Sequence, residues 1–236
     1  MNTTRLHDDE ILMHAKRLDH IEPFHVMRII TRAMELQSSG VDVVNLAVGE
    51  PDFPTPKLVV ESGLRALRED RMKYLPALGS DELRNAISRW YRQRYNVGVP
   101  KKRIAITTGS SGALLLTMGV LVSPGDEILM ADPGYPANRH FVSTMEGRPI
   151  LIPVGPETDY QLTPELVEKH WTDRTIGVMV ANPSNPTGTS IKQDILKDIH
   201  RVVQANQGTL IVDEIYHGIT FGVDACSSLE FADDIF

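Results

Sequence analysis

Short apolar segments alternate with amphipathic helical segments through the second half of the chain. The apolar segments have the length of buried strands and lie at 104–107, 128–131, 149–154, 176–181 and 209–212. Strands that are separated by helices need crossover connections, which make the strands parallel within one sheet and place helices on its faces. We therefore predict an α/β protein with a mostly parallel sheet.

Several helix starts are marked by residues that can bond to free backbone N–H groups of the first turn. Thr55, followed by proline, and Ser80, followed by two acidic residues, have this character. Ser190 and Gln193 have the spacing of a capping box. A further helix is predicted over residues 23–38 from its apolar periodicity.

Charge and cysteine content narrow the function classes. The chain has 24 Lys and Arg against 31 Asp and Glu, a net charge of −7, which argues against nucleic acid as a partner. A lone cysteine, Cys226, cannot form an intramolecular disulfide and favours a reducing, cytoplasmic location. The most apolar stretch, 113–122, is too short to cross a membrane, and residues 1–10 are too polar for a secretory signal.

Candidate functional residues follow the predicted strands, where the ligands of parallel sheets bind. Residues 109–112, Gly-Ser-Ser-Gly, lie between a strand and a helix and could bind a phosphate, or could form an ordinary turn. Residues 182–188, which contain two Asn-Pro pairs, also follow a strand and could bind a ligand, or could form stacked turns. Asp213 ends an apolar strand with Tyr216 three residues later, and a carboxylate in that position needs a partner. Tyr135 could stack on a ligand or belong to the core.

Motifs of several other enzyme classes do not occur in the sequence. An acidic strand end at 210–214 is similar to that of P-loop nucleotidases, but the chain has no Gly-Lys-Ser or Gly-Lys-Thr. Gly-x-Gly-x-x-Gly, Gly-x-Ser-x-Gly and His-Glu-x-x-His are also missing. The closest histidines, His14, His20 and His25, favour a solvated helix surface over a metal site.

Six short motifs follow one another along the chain: Gly49-Glu50-Pro51-Asp52-Phe53, Tyr74, Gly109-Ser110-Ser111-Gly112-Ala113, Pro133-Gly134-Tyr135, Asn182-Pro183-Ser184-Asn185-Pro186-Thr187-Gly188 and Asp213-Glu214-Ile215-Tyr216. In this order and spacing they closely resemble the class I and II aminotransferases, which are fold-type I enzymes that use pyridoxal 5′-phosphate (PLP). The resemblance extends from about residue 22 to the end of the chain.

The resemblance implies a role for each matched residue that would face the cofactor ring. Asp213 would pair with the pyridine nitrogen and keep it protonated, which makes the ring an electron sink. Tyr216 and Asn185 would hydrogen-bond the 3-oxygen of the ring, and Tyr135 would stack on its face. Asp213 and Tyr216 are therefore the expected catalytic residues of this chain.

The resemblance also implies contacts with the phosphate, the substrate and a second subunit. Gly109, Ser110 and Ser111 would hold the phosphate at a helix N-terminus. Gly49, together with Asn185, would line the substrate site near the substrate carboxylate. Tyr74 would reach the phosphate in the neighbouring subunit, which implies a homodimer with shared sites.

The fold that the resemblance implies is the three-layer α/β/α PLP-dependent transferase fold with a mostly parallel sheet, incomplete in this chain. Residues 1–48 would form an N-terminal arm and part of a small domain, and residues 49–236 a large PLP-binding domain that stops before the Schiff-base lysine. That lysine and the arginine for the substrate carboxylate are expected beyond Phe236. Ile235 and Phe236 would begin the next strand, and two later strands would separate segment 104–107 from the others.

The expected function is the transfer of an amino group from an amino acid to a 2-oxo acid, within amino acid metabolism and biosynthesis. Two alternatives remain open from the sequence. One is different PLP chemistry on the same fold, such as a C–S lyase or a decarboxylase, because the cofactor supplies the chemistry and the pocket selects the bond. The other is a non-catalytic ligand-binding or regulatory domain.

Overall fold

The computed structural model of the protein describes residues 14–69 and 71–236. The sequence interpretation of residues 1–10 lies outside this part of the chain. The helices are α1 (His25–Ser38), α2 (Lys57–Arg68), α3 (Asp81–Tyr95), α4 (Gly109–Leu121), α5 (Pro136–Thr144), α6 (Pro164–His170) and α7 (Gln193–Ala205). The strands are β1 (Glu127–Asp132), β2 (Arg148–Pro153), β3 (Thr175–Ala181) and β4 (Thr209–Asp213). Among the described residues, no helix combines the length and apolar content that a membrane crossing requires.

The four strands form one parallel sheet in the order β2-β1-β3-β4. Val178 of β3 pairs with Leu210 of β4, and Ala181 pairs with Asp213, so these two strands end at the same edge of the sheet. Phe236 continues the sheet beyond β4, because its carbonyl accepts from the Val212 N–H at 2.9 Å and its own N–H donates to the Leu210 carbonyl at 3.2 Å. Phe236 thus lies where the sequence predicts the start of a further strand.

Helices cover both faces of the sheet. Successive strand residues point to opposite sides, and because the strands are apolar throughout, both faces must be buried. One core cluster contains Leu129, Val178 and Leu210 with residues of α6 and α7 such as Val167 and Ile199. The opposite cluster joins the alternate strand residues to α4 and α5; it contains Ile128, Met130, Met179, Ile211, Leu114, Met118 and Val142. The prediction of a three-layer α/β/α fold with a parallel sheet is confirmed.

Segment 104–107 is not a strand in this structure, although its apolar sequence predicts one. None of the four strands pairs with it. Within the segment, the Ile106 N–H donates to the Leu78 carbonyl at 3.1 Å, a contact with a turn rather than with the sheet. An apolar segment forms a strand only where a neighbouring strand provides hydrogen-bond partners. None of the four strands provides such partners for segment 104–107.

The three predicted helix starts have different outcomes. Ser80 caps α3, because its side chain accepts from the Leu83 N–H at 3.2 Å. The predicted caps at Thr55 and Ser190 are wrong, since α2 and α7 begin later and neither has a side-chain cap. Near Ser190, the Ile191 N–H donates instead to the side chain of Asn182, which keeps this segment out of the helix.

Candidate functional site

Polar residues collect at the edge of the sheet where β3 and β4 end. β4 ends at Asp213 and leads into a 3₁₀ turn, Ile215–Gly218, which carries Tyr216. The loop after β3 carries Asn185, whose side-chain N–H donates to the Tyr216 hydroxyl at 3.1 Å. The structure therefore brings Asn185, on the loop after β3, to Tyr216, on the turn after Asp213, although the two residues lie thirty-one positions apart in the chain.

Asp213 is a half-buried carboxylate with unused acceptor capacity. Its Oδ1 accepts from the Ile215 N–H at 3.1 Å. Burial raises the pKa of Asp213, and the hydrogen bond from Ile215 only partly opposes this effect. In the part of the chain that the structure describes, no lysine, arginine or histidine forms an ion pair with it. Asp213 is thus suited to a positively charged or N–H-donating partner.

The loop that carries Asn185 is held by hydrogen bonds at both of its ends. At the start of the loop, buried Asn182 accepts from the Ile191 N–H through Oδ1 at 2.9 Å. Inside it, the Ser184 N–H donates to the Thr189 carbonyl at 2.9 Å. The loop does contain turns, as one reading of its sequence suggests, and these turns support the side chain of Asn185 at the end of the sheet.

The Gly-Ser-Ser segment forms the first turn of α4, a helix of 13 residues. Gly109 has φ of +73°, a conformation that favours glycine. Thr108, which precedes it, makes no side-chain cap, so a first-turn N–H group is available to a ligand. Ser110 is half-buried and lines an open cavity of about 480 Å³ together with Asp213, whereas Ser111 is exposed.

Tyr135 follows β1 and directly precedes α5. Its ring packs edge-on against Phe24, with the ring centroids 5.8 Å apart and an interplanar angle of 68°. Tyr135 and Asn185 line a second cavity, of about 170 Å³, at the ends of β1 and β3. The residue is half-buried, so that part of its surface remains accessible to a ligand.

Gly49 and Tyr74 are both exposed in this structure. Gly49 is exposed, and a Cβ built on it would have no atom within 4 Å. Tyr74 is fully exposed, and neither residue lines the two cavities described above. A tyrosine with a role in a neighbouring subunit would be exposed in a single chain, so its predicted role stays a prediction.

Three residues that line the same cavity as Ser110 and Asp213 were not predicted from the sequence. His217 Nδ1 shares a hydrogen bond of 2.9 Å with the hydroxyl of Tyr95, and both residues are buried. Glu214 accepts hydrogen bonds from Ser227 and Ser228. The available signal was the three-residue spacing of Glu214 and His217, which repeats that of Asp213 and Tyr216. No group of three or more potential metal ligands occurs among the described residues.

Comparison with known proteins places the chain in a family. The family model "Aminotransferase class I and II" matches residues 41–235. The chain is 38% identical over 202 residues to valine–pyruvate aminotransferase of Mycobacterium tuberculosis, covering 85% of this chain and 52% of the relative. It is 33% identical over 223 residues to (5-formylfuran-3-yl)methyl phosphate transaminase of Methanocaldococcus jannaschii, covering 94% and 57%.

Solved structures of aminotransferases are also similar to this chain. A crystal structure of an aminotransferase from Mycobacterium tuberculosis has a TM-score of 0.86 at 37% identity, covering 92% of this chain and 56% of that one. Aspartate aminotransferase from Thermus thermophilus with maleate has a TM-score of 0.87 at 30% identity, covering 92% and 57%. The chain spans about half the length of the relatives that it matches. Because the family model matches most of the chain, the protein belongs to the class I and II aminotransferases.

Proposed function

We propose that the whole protein is a PLP-dependent aminotransferase that moves an amino group from an amino acid to a 2-oxo acid. The observation that carries this proposal is the hydrogen bond between Asn185 and Tyr216, which joins the loop after β3 to the turn after β4, the strand that ends in Asp213. The relatives compared above are named aminotransferases or transaminases, which favours amino transfer over lyase, decarboxylase or non-catalytic alternatives. The net charge of −7 also favours small-molecule substrates over nucleic acid.

The residues at the strand ends fit PLP. Asp213 has no cationic partner among the described residues and a pKa raised by burial, so a protonated ring nitrogen would supply the charge that its surroundings lack. When bound, PLP supplies an electron sink for the electrons that remain when the substrate Cα loses a proton. Asp213 would hold the proton on the ring nitrogen, which is the condition for that role.

Tyr216 is prepared to donate a hydrogen bond. Its hydroxyl oxygen accepts from the Asn185 side chain at 3.1 Å, so its own proton is free for an oxygen of the cofactor ring. Asn185 has a second N–H and a carbonyl oxygen for ring or substrate atoms. We assign both residues to the 3-oxygen of the ring, with Asn185 also at the substrate. Tyr135, half-buried at the end of β1, would stack on the ring face.

The first turn of α4 would hold the phosphate. Its N–H groups and the hydroxyls of Ser110 and Ser111 are hydrogen-bond donors at the positive end of a helix dipole. Gly109 has the left-handed conformation that begins this turn. Because Ser110 and Asp213 line one cavity, a ligand could contact both.

We further propose a homodimer in which Tyr74 serves the phosphate of the neighbouring site. Helix α4 supports this proposal, because it is apolar around its circumference while Leu116 and Val120 on its outer side are exposed.

Gly49 would lie at the substrate carboxylate. The division into 1–48, an arm and part of a small domain, and 49–236, the large PLP-binding domain, belongs to the same proposal. The single cysteine supports a cytoplasmic location, and amino acid biosynthesis is the proposed setting.

The test is a transamination assay on the protein at the full length of its relatives, with PLP and a panel of amino acids and 2-oxo acids. Asp213→Ala is expected to lose nearly all activity while retaining the circular dichroism of the folded protein. Asp173→Ala is the matched control, because Asp173 is an exposed aspartate in the turn before β3. Near-normal turnover in Asp213→Ala would overturn the assignment.

A further inference from the structure

The turn after β4 makes polar contacts in two directions. Tyr216 is bonded to Asn185 on the side of the proposed PLP site. Glu214 and His217, each next to one of the proposed catalytic residues, are bonded to other parts of the chain. The 3₁₀ turn itself covers Ile215–Gly218, with Glu214 directly before it and Asp213 at the end of β4. The proposed function assigns no role to Glu214 or His217.

Glu214 is anchored to the segment at Ser227 and Ser228. Its Oε1 accepts from the Ser228 N–H at 2.6 Å and from the Ser228 hydroxyl at 2.8 Å. Its Oε2 accepts from the Ser227 hydroxyl at 2.9 Å. Both serines are buried, and Ser227 begins a capping box with Glu230 that fixes its own position. Three hydrogen bonds to one carboxylate leave Glu214 little freedom to move.

His217 is anchored to the last residue of α3. Its Nδ1 lies 2.9 Å from the hydroxyl of Tyr95, and the two rings meet edge to face with centroids 5.7 Å apart. The side chains are buried, with 6% of His217 and 8% of Tyr95 exposed. The same Nδ1 lies 3.8 Å from Oε2 of Glu214, so the two anchors form one cluster.

We propose that Glu214, His217 and Tyr95 are positioning residues that orient Asp213 and Tyr216 toward PLP. The inference rests on the proposed function. Glu214 and His217 lie on either side of Tyr216 in the chain, and Glu214 directly follows Asp213. Leaving a buried polar group without its hydrogen-bond partner costs free energy. Conformations of the turn that break the bonds of this cluster are therefore unfavourable, and the cluster holds the turn in one conformation. Holding the chain at Glu214 and at His217, on the two sides of Tyr216, limits the directions in which the Tyr216 hydroxyl can point.

Hydrogen exchange on the cofactor-free protein, at the full length of its relatives, tests this inference directly. The variants are Tyr95→Phe, which removes the hydroxyl but retains the ring, and His217→Leu, which removes the imidazole. The amide N–H groups of Ile215, His217 and Ile219 report on the turn, since they donate to Asp213, Glu214 and Tyr216. We expect exchange at these amides to rise about tenfold in both variants, as the loss of one buried hydrogen bond predicts.

Two further variants separate positioning from packing. His217→Asn retains an amide close to the position of Nδ1 and should restore part of the protection. Tyr91→Phe is the matched control, because Tyr91 lies one turn earlier on α3 in the same aromatic cluster. Its hydroxyl makes no hydrogen bond among the described residues, although burial and then Glu214 raise its pKa to about 12. We expect this variant to exchange like the wild type.

The absorbance of bound PLP as a function of pH provides the second readout. The pH at which the absorbance change is half complete should shift in Tyr95→Phe and His217→Leu, because Tyr216 would no longer hold the ring oxygen in one geometry. The midpoint pH should be unchanged in Tyr91→Phe. Unchanged exchange and an unchanged midpoint in Tyr95→Phe would overturn the inference even if His217→Leu failed to fold. A wild-type protein that did not bind PLP would instead overturn the proposed function, while the exchange data would still decide whether the cluster orders the turn.

Discussion

Replacing Asp213 by asparagine should change the stability and the cofactor affinity of the protein in opposite directions. Asparagine has nearly the same shape, and its Oδ1 can still accept from the Ile215 N–H. The substitution removes only the negative charge. Because burial raises the pKa of Asp213, that charge is unfavourable in the folded, cofactor-free protein. The same charge is what the proposed site offers to a protonated ring nitrogen.

The magnitudes follow from these two roles. Each unit by which burial raises the pKa of Asp213 corresponds to about 1.4 kcal/mol of stability that Asp213→Asn regains at neutral pH. The gain is present above the folded-state pKa and disappears as the pH falls below the ordinary carboxyl value of about 3.9, where both states are protonated. Losing a hydrogen bond to a charged group costs about 1.5–3 kcal/mol, so the affinity for PLP should fall by about 10- to 150-fold.

Urea denaturation of the cofactor-free protein between pH 3 and 7 measures the first effect, and titration with PLP measures the second. Asp173→Asn, at an exposed turn, controls for the general loss of one negative charge. A variant Asp213→Asn that is less stable than the wild type at pH 7 would contradict the effect assigned to burial. A variant that binds PLP as tightly as the wild type would contradict the role assigned to the charge.

Three further predictions concern other parts of the chain. Glu127 is buried, which by itself would raise its pKa, but hydrogen bonds from Thr172 and Arg174 outweigh burial and lower it. Glu127→Gln should therefore lower the free energy of unfolding at pH 7 by about 1–3 kcal/mol, with the difference shrinking below about pH 4.3; a constant difference down to pH 3 in urea denaturation would contradict this. Ser80→Ala should cost about 1 kcal/mol by the same measurement, and no loss would show that the cap on α3 is unimportant. Tyr74→Phe should lower activity, and mixing Tyr74→Phe subunits with subunits that lack the Schiff-base lysine should raise it again through one hybrid site that contains both residues, whereas no rise on mixing would exclude a shared site.

The sheet was predictable because its strands are short, continuously apolar and separated by helices. The apolar segment at 128–131 became β1, and the alternation of Ile128 and Leu129 between two core clusters requires helices on both faces. Such patterns are local and can be recognised without knowledge of the tertiary structure. The same local pattern at 104–107 did not produce a strand, because pairing depends on a neighbour and not on the segment alone.

The placement of Asp213, Tyr216 and Asn185 at or after strand ends was predictable, because each belongs to a motif that directly follows an apolar segment, while their roles stay predictions. The failed cap at Ser190 has a tertiary cause, namely the bond from Ile191 to a side chain nine residues earlier. Glu214 and His217 could not be assigned because their partners lie on α3 and near residue 228, and nothing in the local sequence says that these segments meet.

The three-residue period of the turn after β4 also determines which kinds of mutation this segment can accept. Ile215 is exposed, so its side chain can change with little effect on packing. Deleting it would rotate everything that follows by about 120°. His217 would then point toward Asn185, and the tyrosine would point elsewhere. Natural variation in this segment should therefore consist of substitutions at Ile215 and almost never of insertions or deletions between Asp213 and His217.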